Sequence, residues 1–297
     1  MNTQSNAAPE SWVQSSGFAN SVVAATRPMY WSVRRELWEN RSVYIAPLVA
    51  AALFLFGFVI STIRIRLHKE ALWSKGQYEL APALIMGIAL IVGIFYCLDA
   101  LYSERRDRSI LFWKSLPVSD VTAVIAKLAI PILILPLLSF VITVATQFIM
   151  LVLSSAIFAG SGVNIAALWT EASFFRVSVV WLYHLLTVHG LWYAPLYGWL
   201  LLVSAWAPRA PFIWAFLPPF VIYGVEKIAF NTSYFLNLLQ YRLLGPGNGM
   251  ATEHQQDFTA TLIPHHFLST PGLWTGLAVA AVFLFATVRL RRSHGPI

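Results

Sequence analysis

Charge is scarce in this chain. Charged side chains make up 11% of its 297 residues, against about 25% in an ordinary soluble domain. So little polar surface cannot cover a globule in water, which excludes a conventional soluble enzyme or binding module and makes lipid part of the solvent. Cysteine occurs once, at Cys97, which rules out an intrachain disulfide and leaves a small apolar side chain inside a hydrophobic run. The first 26 residues hold no apolar core of signal-peptide length, Val22–Ala25 being too short, so the first insertion signal is the first span itself. A two-residue alternation is also missing, which excludes a membrane barrel. No HExxH metalloprotease motif occurs.

Hydrophobic residues, by contrast, make up 58%. They gather in six apolar stretches: Val43–Ile63, Ala81–Tyr102, Val121–Ile157, Phe174–Trp206, Phe212–Val225 and Leu268–Val288. About 20 such residues cross a hydrocarbon core, and lipid offers no hydrogen-bond partners, so the spans must be helices. The fold expected is an all-α integral membrane protein with six transmembrane helices. Its domain layout is a cytoplasmic tail at 1–26, an interfacial amphipathic helix at 27–42, a transmembrane domain at 43–292 and a short tail at 293–297. The net charge of +7 reflects loop asymmetry rather than a nucleic-acid partner. Arg34, Arg35, Arg41, Arg105, Arg106, Arg108, Arg291 and Arg292 fall on the side of the N-terminus, and the main contrary group is Arg64, Arg66, Lys69 and Lys75. By the positive-inside rule both termini are cytoplasmic.

Pro28 suits a first helical turn. From there a helical wheel gathers Met29, Tyr30, Val33 and Leu37 on one arc, with Trp31 and Trp38 beyond Arg34 and Arg41 at its edge. Ser32, Arg35, Glu36 and Glu39 take the other side, the pattern of a helix lying in the membrane interface. Pro131 and Pro136 should kink the third span. Ser233–Leu244 is helical in pattern but too short to cross, within an outer segment at 226–267.

The most distinctive polar segment is the loop at 103–120. Glu104, Arg105, Arg106, Asp107, Arg108 and Lys114 surround the run Ile110, Leu111, Phe112 and Trp113. A loop needing only solubility would not carry four consecutive large apolar residues. Either it is a short helix whose apolar face docks into a groove on a cytoplasmic partner, or its aromatics touch lipid and its arginines phosphate.

With the SERRDRSILFWKSLPVSD run at Ser103–Asp120, the WAPRAP turn at Trp206–Pro211 and the LYGWLLLVS stretch at Leu196–Ser204, the chain resembles the type-2 permeases of ATP-binding-cassette transporters over about residues 27–292. The resemblance implies that Arg105–Leu116 contains a coupling helix seated on a nucleotide-binding ATPase subunit, with Arg34, Arg35 and Glu39 as a second contact to that subunit or to lipid headgroups. It further implies two permease copies, as homodimer or heterodimer, two ATPase subunits, and a bacterial inner-membrane location. No G-x-x-x-x-G-K-[ST] sequence occurs, and Gly245–Gly249 is followed by no lysine, so ATP and Mg would bind the partner chain and this chain would carry no cofactor.

Ionisable groups within spans are costly and mark candidate sites. Asp99 is expected to pair with Arg105, Arg106 or Lys127. His184 and His189 lie five residues apart, about 140° net on an α-helix, so their rings should not share a face and a metal pair is not expected. Glu226 could reach water or, across a dimer, gate the outer mouth. Two other readings use the same residues: a non-transporting envelope scaffold, and an intramembrane serine protease combining Ser161 with His184 or His189. If the loop is cytoplasmic, a membrane-impermeant maleimide should label Ser109→Cys in inverted vesicles and not in intact cells; labelling from the exterior would overturn the assigned orientation.

Overall fold

The computed structural model describes residues 28–68, 76–115, 118–160, 164–172, 174–244 and 267–293, and every regular element among them is helical. Helix α1 covers residues 28–39, starting at Pro28 as its ring geometry favours. It leads into α2 (Ser42–His68), α3 (Gly76–Ala100), two short helices α4 (Tyr102–Arg106) and α5 (Ser109–Ser115), and α6 (Asp120–Ala129). A π-helical turn at Ile130–Ile134 joins α6 to α7 (Leu135–Phe158). Then come α8 (Ile165–Ala172), α9 (Phe174–His184), a second π-helix at Leu185–Trp192, α10 (Ala194–Trp206), α11 (Pro211–Phe230) and α12 (Tyr234–Leu244). A short 3-10 turn at Phe267–Ser269 precedes the last helix, α13 (Pro271–Ser293). Among the described residues six helical segments are long and apolar enough to cross a membrane, so the chain is an all-α multi-pass membrane protein.

Three boundaries differ from the hydropathy reading. Phe174–Trp206 is not one continuous α-helix: the backbone widens into the π-helix at Leu185–Trp192 and turns at Tyr193 before α10. The stretch between the third and fourth apolar runs contains α8. The fifth span is longer than Phe212–Val225 because left-handed residues, Ala210 and Asn231, bound it on either side. Pro131 falls inside the first π turn: a proline cannot donate an i→i−4 bond, and the backbone absorbs the defect by widening.

The two widened turns pack against each other. Gly190 makes this possible, since a Cβ there would lie 3.0 Å from the Ile132 carbonyl oxygen. Gly198 plays a similar part where α10 meets α13, its missing Cβ leaving room for the Ala280 carbonyl and the Phe283 stem. Small residues of this kind let helices approach closely in lipid, where apolar surface gains nothing from mere burial. The core runs through this centre, with Tyr96, Cys97, Ile130, Leu135, Trp192, Tyr197 and Leu201 all buried together. At the periphery, α11 buries only Ala215.

Gly190→Ala should lower stability by about 1–3 kcal/mol, because the clash is with backbone and cannot be relieved by a rotamer change. Gly87→Ala, with nothing within 4 Å of the added Cβ, is the neutral comparison. Thermal unfolding in detergent measures both, and equal midpoints would deny the close approach its structural weight.

Candidate functional site

At the end of the bundle where α1, α4, α6 and the last turns of α13 meet, six ionised side chains form one connected cluster. Glu36 accepts from Lys127 Nζ at 2.9 Å and from Arg35 Nη2 at 2.6 Å through one oxygen, and from the Tyr96 hydroxyl at 2.9 Å through the other. Glu104 takes Lys127 and Arg35, each at 3.1 Å, on one oxygen and Arg291 at 2.5 Å on the second. Arg291 continues through Nε to Asp120 at 3.1 Å. Glu36, Glu104, Lys127 and Arg291 are all buried.

The charges balance as three carboxylates against three cations, and that balance is what makes their burial tolerable. Burial alone would push the Glu36 carboxyl upward, but Lys127 and Arg35 together hold it below its ordinary value.

The cluster corrects two expectations. Glu36 was placed on the polar side of an interfacial helix, yet it faces the protein with Val33 and Leu37, while Tyr30, Trp31 and Trp38 stay exposed. Arg34 lies between the last two rings, 5.2 Å from the centre of Trp31 and 4.7 Å from that of Trp38. Asp99 was expected to hold Arg105, Arg106 or Lys127, but it is exposed: Lys127 belongs to the cluster, Arg105 bonds main-chain carbonyls, and Arg106 pairs with Asp107, with Asp99 acting on it only as a weaker nearby charge. Helical spacing could not show that Glu36 and Lys127, 91 positions apart, meet.

The 103–120 loop divides cleanly. Arg105 reaches inward and donates to the Ala205 and Ala207 carbonyls, closing the C-terminus of α10. The Ser204 hydroxyl returns the clasp by accepting the Leu101 and Tyr102 amides at 3.0 and 2.9 Å. Ile110 is buried, and Trp113 lies under the Arg35 guanidinium, 3.8 Å from the ring centre. Arg108 adopts a left-handed conformation, φ 57°, to reverse the chain between α4 and α5. What remains outward is Arg106, Asp107, Arg108, Leu111 and Phe112, the last two each 59% exposed, with Lys114 at the same helix end. Of nine residues assigned to a docking role, Arg105, Ile110 and Trp113 therefore anchor the loop. Glu39 stays exposed, 3.6 Å from Arg35.

The remaining candidates lie elsewhere. Glu226 accepts the Tyr234 and Phe235 amides and the Thr232 hydroxyl, which caps α12 and occupies the carboxylate. His184 and His189 come together after all, ring centres 5.8 Å apart. The π-helix is the reason. Its bonds span five residues, as in Tyr193 N–H to Val188 carbonyl at 3.1 Å, and wind more residues into each turn, so positions five apart stack. Ser161, the nucleophile of the protease reading, and the Gly245–Gly249 stretch lie outside the described residues.

Comparison with protein-family models, with curated proteins and with solved structures gave no match.

Lys127→Met should cost about 3–5 kcal/mol, the range for removing one partner from a buried charge pair. Since the folded Glu36 carboxyl sits below its ordinary value, its contribution is complete above about pH 4.3 and disappears as pH falls through the lower folded value. Glu36→Gln should flatten that acid limb of the stability curve; an unchanged limb in detergent unfolding would remove Glu36 from the account.

Proposed function

We propose that this chain is the membrane-spanning permease subunit of an ATP-driven transporter, working as an exporter in a bacterial inner membrane with both termini cytoplasmic. ATP and Mg would bind a separate nucleotide-binding subunit, present in two copies beside two permease chains. The observation that carries this reading is the exposed Leu111–Phe112 pair, held out on a short helix whose Trp113 is gripped from α1 and whose neighbour α4 is fastened to α6, α10 and α13. An apolar tip rimmed by Arg106, Asp107 and Arg108 has the composition of a docking anchor, with an apolar centre for affinity and charges for orientation.

The fastening matters as much as the tip. Trp113 is gripped by Arg35 of α1, Glu104 joins α6 and α13, and Arg105 and Ser204 bind the loop to α10. A push on α5 would therefore move several spans as a unit. ATP binding in the partner could drive that movement only if its affinity differs between the two arrangements. Arg34, Arg35 and Glu39 divide under this reading: Arg35 acts inside, while Arg34 and Glu39 remain at the surface for the partner or for headgroups.

A non-transporting scaffold would use the same tip to hold a partner without turnover. The two readings separate on one experiment. Leu111→Asp with Phe112→Asp should leave insertion and detergent monodispersity intact, abolish co-purification of a nucleotide-binding chain and remove permease-dependent ATPase stimulation. Trp113→Asp should instead destabilise the subunit itself. Full stimulation in the Leu111/Phe112 variant would overturn the coupling role, and a partner that co-purifies but hydrolyses no nucleotide would favour the scaffold.

A further inference from the structure

The side of α1 turned away from the charged cluster carries an aromatic and basic face that the fold leaves uncovered. Tyr30, Trp31 and Trp38 are 58, 57 and 66% exposed. With Arg34 they share one arc of about 100° on the helix, opposite Glu36. Tyr30 meets Trp31 edge-on, ring centres 5.5 Å apart, and the Arg34 guanidinium lies over Trp31 and Trp38 at 5.2 and 4.7 Å. Arg41 follows just past the helix end and is exposed. The chain sets the depth of this face. Only Asn40 and Arg41 separate α1 from α2, which is long and apolar enough to cross the membrane. Helix α1 therefore lies at the end of that span, in the headgroup layer where Trp, Tyr and Arg side chains collect.

Contact with acyl chains would ask for the rings alone. Here two guanidinium groups accompany them without a counter-charge. The carboxylates nearest in sequence, Glu36 and Glu39, are engaged by Arg35, and among the described residues no ion pair involves Arg34 or Arg41. A guanidinium resting on ring faces keeps its planar fork of N–H donors for another acceptor, and that fork matches phosphate oxygens. The rings also restrict the side chain beforehand, so Arg34 has less freedom to lose on binding. A zwitterionic headgroup brings its own ammonium beside the phosphate. A net-negative headgroup does not, and it attracts arginines placed next to a span.

We propose that the outer face of α1 is a binding site for the phosphate of an anionic lipid headgroup, held by Arg34, seated on Trp31 and Trp38, and by Arg41. The site rests on α1 lying at the membrane surface and not on how the chain is driven, so its test needs no ATPase partner. Full-length protein in detergent is titrated with phosphatidylglycerol or with phosphatidylcholine of matched acyl chains, and retained lipid is counted by native mass spectrometry. The parent should retain phosphatidylglycerol in preference. Arg34→Gln and Arg41→Gln should each weaken the tightest phosphatidylglycerol about fivefold, and the two together about 25-fold. Trp31→Ala with Trp38→Ala should weaken it at unchanged charge, because the rings hold the guanidinium in place. Arg209→Gln, which removes an exposed arginine from the turn before α11, should leave it unchanged. No preference over phosphatidylcholine in the parent, an equal loss in Arg209→Gln, or undiminished binding after the double arginine change would each overturn the site. Unaltered lipid retention in the double arginine variant, together with loss of a co-purifying nucleotide-binding chain, would give this face to the protein partner instead.

Discussion

The neutral knot of Glu36, Glu104 and Asp120 with Arg35, Lys127 and Arg291 is the constraint on which the rest of this architecture depends. Its members come from α1, α4, α6 and α13, and Tyr96 adds α3 through its hydroxyl. Lys127 is shared by Glu36 and Glu104 and Arg291 by Glu104 and Asp120, so Glu104 ties the two halves of the knot together. Buried pairs of this kind contribute little net stability relative to an apolar replacement. Here they link four segments in one network, and α5 is mounted on that network through Trp113.

The second constraint is the pair of widened turns in the third and fourth spans. Proline at 131 and glycine at 190 act together, the first loosening the helical ladder and the second admitting a neighbouring carbonyl. Both spans thereby widen where they touch.

The hydropathy and helical pattern were enough to find the six spans, α1 from Pro28, α12 and the polar loop, because burial in lipid selects composition over long windows. Pairing across the sequence was not legible in the same way. Glu36 on a helical wheel is indistinguishable from a solvent-facing glutamate, and only the folded chain reveals that Lys127 waits for it. Asp99 drew attention because it sits in an apolar run, yet Glu104, at the start of the polar loop, holds the buried position. The histidines show a different limit. Their spacing was read with α-helical geometry, and the local geometry is wider, although Gly190 beside His189 and the flanking aromatics mark the place where the ladder departs from regularity.

Helix α10 is fastened at both extremities. Arg105 and Ser204 clasp its far end, while at its near end Trp192 and Tyr193 donate to the Arg242 and Leu243 carbonyls of α12. Thirteen residues of α-helix make a strut about 20 Å long. A strut pinned at two points conveys displacement along its axis and resists twisting. A displacement of α4 would therefore be passed along α10 to α12, whose Arg242 lies so close against Gly276 that no Cβ could be accommodated there.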